Sequence, residues 1–246
     1  MAKTPLLLVP GMLCSPRLFA PQVAALGDTA DIVVPDWRKA PLAIWDSWKS
    51  AAGWVLDQMP AKKFALAGLS LGGMLAVEIM QFAADRVTRL ALLDTGMRGQ
   101  NELERAIRRA RIRLAEQGQF ELVLGLQLAR FIPAYRLTDQ ALVDEVMTMC
   151  AEIGVDIYKC QEELAAIRAD RRPDLPRITC PTTIVCGRDD AATPLFMSEE
   201  MAAAIKGSEL VVIDNCGHLT TMEKPDETSA VLRRWLGGAR TSRSAS

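Results

Sequence analysis

The 246-residue chain is half hydrophobic and carries 29 basic against 30 acidic residues, a formal net charge of −1. That length can bury one α/β core with an insertion but leaves little room for two independent domains. The balanced charge gives no overall field for a phosphate backbone or an anionic membrane, so neither nucleic acid nor a membrane is expected as a partner.

In chain order, the first apolar run, Leu6 to Val9, is too short for a signal-peptide core or a bilayer span, which reads as a cytoplasmic protein. Strands are predicted at Pro5 to Val9, Asp31 to Val34, Lys63 to Ala67, Val87 to Leu93, Thr182 to Cys186 and Leu210 to Ile213. Helices are predicted at about Pro16 to Leu26, Ile44 to Met59, Leu71 to Ala84, Leu195 to Ile205 and Pro225 to Leu236. Short apolar runs alternating with helical segments imply an α/β fold, a mostly or wholly parallel sheet of about six strands flanked by helices.

The alternation fails once, between Asp94 and Pro181, where helices but no strand are expected. Asn101 followed by Glu104 marks a helix start, Leu103, Ile107, Ala110 and Leu114 share one face, and Gly118 can end the helix. Residues 1–96 and 178–236 are therefore assigned to the core, 97–177 to an inserted helical cap and 237–246 to a flexible tail. Arg98, Arg105, Arg108, Arg109, Arg111 and Arg113 open the insertion. Arg105, Arg109 and Arg113 lie opposite the Leu103 face and Glu102 and Glu104 interleave, so a solvated face is expected rather than an anion site. Trp37, Trp45, Trp48 and Trp54 are expected to pack in the core.

The chemistry centres on Gly68-Leu69-Ser70-Leu71-Gly72, which follows a strand and opens a helix. A serine in such a turn projects from the strand end, and the flanking glycines leave room for a crowded backbone. Serine needs a base to take its proton, and His218, in the loop after the last strand, is the only histidine of the chain. One histidine also argues against a histidine-based metal site, and the six dispersed cysteines form no C-x-x-C pair, so no metal is expected.

These pieces resemble the α/β-hydrolase superfamily over nearly the whole chain. LLLVPGM is similar to the strand and turn of the oxyanion loop, GLSLGG to the nucleophile elbow, CGRDDAATP to the acid loop and NCGHLTTMEKPD to the histidine loop. The resemblance implies Ser70 as nucleophile, His218 as base and Asp190 as the acid, three residues after Gly187 and four before Pro194. Asp189 then becomes a turn carboxylate, and Asp94 stays open because some members take the acid from that earlier strand. The backbone N–H groups of Met12 and Leu71 are the implied oxyanion hole, with Leu13 as fallback; Pro10 stands where many members have histidine.

The resemblance implies a serine hydrolase that needs no cofactor and acts on a small carboxylic ester, thioester or lactone with an apolar acyl or alcohol part. Two alternatives remain at this level: the same triad used for a lyase or carbon–carbon hydrolase reaction, and a ligand-binding protein of low turnover. A haloalkane dehalogenase is disfavoured because those enzymes carry aspartate where this chain has Ser70. The oligomeric state is not legible.

Overall fold

A computed structural model describes residues 2–238. Six strands, β1 Thr4–Val9, β2 Ala30–Val33, β3 Phe64–Leu69, β4 Val87–Leu93, β5 Thr182–Gly187 and β6 Glu209–Ile213, form one sheet in the order β2-β1-β3-β4-β5-β6. Every pairing is parallel. The central strands β3 and β5 are buried along their whole length, and β3 reads as an unbroken apolar run, FALAGL, while β5, TTIVCG, opens with two buried threonines. The edge strands β2 and β6 carry Asp31 and Glu209 and are only partly buried.

Three helices lie in the first half: α1 Ala20–Leu26, α2 Trp48–Asp57 and α3 Leu71–Ala83. Four more, α4 Glu102–Glu116, α5 Phe120–Phe131, α6 Gln140–Ile153 and α7 Val155–Ala166, connect β4 to β5. Helices α8 Leu195–Ala204, α9 Thr220–Glu223 and α10 Pro225–Gly237 complete the described chain. Helix α2 packs on α3, and α1 packs on α10. The chain steps one way from β1 to β2 and the other way from β3 to β4, so right-handed crossovers place α1 and α3 on opposite faces of the sheet.

Two expected helices are broken. The segment from Pro16 begins as a 3-10 turn, Pro16–Phe19, before α1, because Pro21 has no N–H with which to continue a helix through that point. Ser47 is extended and its hydroxyl accepts the Ser50 N–H, so α2 starts afresh after the 3-10 turn Leu42–Asp46. The short helix α9 was not expected. Of the predicted tail, only Gly237 and Gly238 are described, closing α10 with Gly238 left-handed; 239–246 lie outside the described residues.

Helix α4 starts with the Asn101/Glu104 capping box, but its expected apolar face is only partly covered. Leu103 is 70% and Ile107 42% exposed, whereas Ile112 and Ala115 are buried. Periodicity located the helix and misjudged its rotation, because the groups it turns toward are polar. No helix among the described residues is long and apolar enough to cross a membrane.

Candidate active site

The loops after β1, β3, β5 and β6 open onto one cavity at the carboxyl edge, as expected in a parallel sheet whose strand order reverses beside β1. Ser70 directly follows β3 at φ 56°, ψ −117°, a conformation costing a non-glycine residue about 1–3 kcal/mol. The turn is held from several sides. The Ser70 N–H donates to Leu93 O at 3.0 Å, and its carbonyl accepts the Met74 N–H at 3.1 Å and the Thr95 hydroxyl at 2.7 Å. A Cβ on Gly68 would lie 2.3 Å from Gly72 O, and one on Gly72 would lie 2.0 Å from Val9 O, so neither position can carry a side chain.

His218 Nε2 is 2.9 Å from Ser70 Oγ, and His218 Nδ1 is 2.8 Å from Asp190 Oδ2. The imidazole is buried and stacks on Phe131 with ring centroids 5.5 Å apart, while its backbone N–H donates to Phe131 O at 2.9 Å. Glu223 straightens the loop around it by accepting the N–H groups of Gly217 and Leu219. Burial raises the Glu223 carboxyl above its ordinary range.

Asp190 is placed by its own loop: Oδ1 accepts the N–H groups of Ala192 and Thr193 at 2.8 Å each, and Oδ2 accepts the Thr193 hydroxyl at 2.7 Å. Burial alone would raise this carboxyl, but the charge of His218 and the hydrogen bonds from His218 and Thr193 outweigh it and hold Asp190 below the usual range. Asp94 is equally buried and does not reach His218. Its oxygens accept the Gly187 N–H at 3.0 Å, the Thr220 N–H at 3.2 Å and the Thr220 hydroxyl at 2.6 Å, tying the acid loop to the histidine loop. Desolvation, then the charge of Asp190, pushes Asp94 well above the ordinary carboxylate range. Asp189 is exposed and accepts the Tyr135 hydroxyl at 2.6 Å.

Met12 and Leu71 line the cavity together with Ser70 and His218. Their N–H groups take part in none of the turn or loop hydrogen bonds among the described residues. The Leu13 N–H donates to Gln161 Oε1 at 3.0 Å and is therefore occupied. The loop with Pro10 is anchored without a histidine: Trp37 Nε1–H donates to Gly11 O at 3.1 Å, and the Trp37 ring packs on Trp45 and Trp54.

Asp94, Cys186 and Asp190 bring ligand-type atoms within 4.8 Å of one another. Both carboxylates are already spent on N–H and O–H donors, and burial pushes the Cys186 thiol up, so the trio is poorly suited to a cation.

The cavity, about 250 Å³, also contains groups that sequence reasoning assigned to solvent. Arg109 and Arg113 are exposed, and Arg105 pairs with Glu102 at the surface. Arg108 and Arg111 instead turn inward to the fully buried Glu162, and all of Arg108, Arg111, Arg130 and Arg168 line the cavity. The expectation of one solvated arginine face therefore fails for Arg108 and Arg111, whose partner comes from α7, about fifty residues on. Of the contacts not foreseen, only the Asp190-x-x-Thr193 spacing had a local signal, an aspartate bonding to N–H groups two and three residues on.

A family model described as the alpha/beta hydrolase family matches residues 6–231. A pimeloyl-[acyl-carrier protein] methyl ester esterase from Neisseria meningitidis is 28% identical over 235 residues, covering 89% of this chain and 86% of the relative. A solved structure of a thermophilic esterase from Thermogutta terrifontis, malate bound, superposes with a TM-score of 0.89 at 25% identity, covering 96% of this chain and 90% of that one. The enol-lactonase from Burkholderia xenovorans LB400 shares the fold at a TM-score of 0.87 and 24% identity, with 96% and 92% covered.

Proposed function

The chain belongs to the alpha/beta hydrolase family and is a hydrolase, and from that premise we propose that it cleaves a small carboxylic ester, thioester or lactone through an acyl-enzyme on Ser70. The observation that carries the reading is the continuous buried chain Ser70 Oγ, His218 Nε2, His218 Nδ1, Asp190 Oδ2, with links of 2.9 and 2.8 Å.

In the proposed reaction His218 Nε2 takes the Ser70 proton as Oγ attacks the carbonyl carbon. Asp190 holds the ring in the tautomer with a proton on Nδ1 and stabilises the imidazolium that forms. The oxyanion is received by the N–H groups of Met12, in the loop after β1, and of Leu71, at the head of α3. The imidazolium then protonates the leaving oxygen or sulfur as the C–O or C–S bond breaks, releasing the alcohol or thiol, and the acyl group remains on Ser70. A water, deprotonated by the same nitrogen, attacks the acyl carbon, and the imidazolium returns that proton to Ser70 Oγ as it leaves, which frees the acid and restores the resting chain. Asp190 is the proposed acid rather than Asp94, because Asp94 is spent on Gly187 and Thr220. Residues 97–177 act as the cap, supplying the walls of the cavity over this machinery.

A panel of p-nitrophenyl esters of rising acyl length tests the reading. The natural chain is expected to hydrolyse the short members, and Ser70→Ala to lose roughly 10⁴-fold or more in kcat with its fold intact. Near-native turnover by Ser70→Ala would remove the serine from the mechanism.

A further inference from the structure

The four arginines of the cavity are not equivalent. Arg108 and Arg111 reach Glu162, whose carboxylate also accepts the Tyr158 hydroxyl at 2.8 Å and the Gln127 amide at 3.4 Å. In that group both guanidiniums meet the Glu162 carboxylate. Arg130 and Arg168 do not: Arg130 reaches the group only through the neutral Gln127 amide, and Arg168 bonds to none of its members. Among the described residues no carboxylate lies within 4.0 Å of either guanidinium, although nineteen other ion pairs with Lys or Arg are formed in the molecule.

Arg130 donates only to the neutral Gln127 Oε1, at 3.0 Å. Arg168 is 9% exposed, its Nε–H has no partner, and its one side-chain contact to a polar atom is the Met74 sulfur at 2.7 Å. A buried, uncompensated cation is costly, and a guanidinium is too basic to escape the cost by losing its proton near neutrality. Desolvation, followed by the repulsion of Arg111 and Arg108, lowers Arg130; desolvation and Arg108 bring Arg168 to about 10.

Both forks line the same cavity as Ser70 and His218, where the one lining carboxylate among the described residues, Glu104, is engaged by the Asn101 N–H in the capping box of α4. Four guanidinium groups therefore meet two carboxylates, and the excess positive charge lies inside the space a substrate would fill. The apolar part of the wall is formed by Met12, Leu71, Met74, Ile107, Phe131 and Met197. A volume of about 250 Å³ is just below the usual span of about 300–1,000 Å³ for ligand sites, which favours a short substrate.

We infer that the substrate carries an oxyanion tail, a carboxylate or a phosphate, seated on Arg130 and Arg168 a short apolar linker away from the bond that is cleaved. The guanidinium fork matches either group with two parallel N–H···O bonds, and burial strengthens them. This specificity rests on the serine-hydrolase reading for the place of the scissile bond, but the tail site itself is a binding property and can be measured without turnover.

The test is calorimetric titration of the Ser70→Ala chain, which holds an ester without cleaving it. Monomethyl glutarate carries a carboxylate on the acyl side, 4-acetoxybutanoate carries one on the alcohol side, and methyl 4-phosphonobutanoate carries a phosphate-like group. The neutral controls of matching shape are methyl 5-methylhexanoate and 4-methylpentyl acetate. At least one anionic ester is expected to bind about 10- to 100-fold more tightly than its neutral control, the range that hydrogen bonds to a charged group supply. Which anion wins distinguishes carboxylate from phosphate and the acyl from the alcohol side.

The preference should shrink by tenfold or more in both Arg130→Gln and Arg168→Gln, and in Arg130→Lys, which keeps the charge but loses the fork, it should shrink less. Neutral esters binding as well as all three anions in the Ser70→Ala chain would overturn the inference even if the arginine variants failed to fold. So would a preference untouched by both glutamine variants. Neither outcome bears on the nucleophile, which the turnover of Ser70→Ala tests separately.

Discussion

At the carboxyl edge of the sheet every polar side chain near His218 is held by nearby backbone: Ser70 by the turn between β3 and α3, Asp190 by the N–H groups of its own loop, Asp94 by Gly187 and Thr220. In α4, α5 and α7 the polar groups meet instead through long side chains, Arg108 and Arg111 with Glu162 and Arg130 with Gln127. The first region is fixed by short loops on a rigid scaffold and suits chemistry that needs tenths of an ångström. The second is built from groups whose placement depends on how helices rotate against one another, which suits the choice of substrate. Reaction and selectivity should therefore respond to different substitutions.

The largest effect after loss of Ser70 is expected at Asp190. Asp190→Asn removes the charge facing His218 Nδ1 and should cost on the order of 10³- to 10⁴-fold in kcat. Asp94→Asn should cost roughly tenfold, because it loosens the tie between two loops without touching the imidazole. Steady-state kinetics with one p-nitrophenyl ester compares the two, and a reversed order would move the acid to β4.

Stability offers an independent reading of the same pair. The Asp190 carboxyl is depressed in the folded chain, so its ionised form stabilises the fold above the ordinary aspartate range, and that contribution disappears as pH falls through the folded value. Asp190→Asn should therefore be less stable than the natural chain at pH 7, with the gap closing below about pH 4, where unfolded aspartate also takes up a proton. Urea unfolding at a series of pH values reads it; a gap that widened in acid would contradict the ionised, hydrogen-bonded carboxylate.

Trp37→Phe keeps an aromatic ring against Trp45 and Trp54 but removes the indole donor to the Gly11 carbonyl, leaving only the Cys14 N–H at 3.3 Å. A loss of about 1–2 kcal/mol in urea unfolding is expected, with a fall in kcat larger than any change in KM, since the loop carrying the Met12 N–H would shift. The smallest effect belongs to Arg109→Ala on the exposed side of α4, which should alter neither kcat nor stability beyond about 0.5 kcal/mol.

The same contrast explains what could be read from the sequence. The six strands and the residues that approach at the sheet edge were legible because parallel strands impose apolar runs and the turn after β3 tolerates only glycine at Gly68 and Gly72. The histidine was legible because there is one. The cavity wall was not: Leu103 and Ile107 share a face with Leu114 by period, yet helix α4 turns Arg108 and Arg111 inward to a glutamate on α7. Periodicity ranks apolar faces, and a helix whose inner face is polar and paired at long range defeats it. The Phe131 stack on His218, the Gln161 bond to Leu13 and the Trp37 bond to Gly11 likewise join distant parts of the chain and leave no local mark.

The central claim, a serine activated by the one histidine, is tested most directly by labelling with a fluorophosphonate and mapping the modified peptide by mass spectrometry. A single stoichiometric adduct on Ser70 is expected, formed rapidly in the natural chain, strongly slowed in His218→Ala and Asp190→Asn, and absent in Ser70→Ala. An adduct on another residue, labelling that persists in Ser70→Ala, or an active natural chain that takes up no label would contradict it.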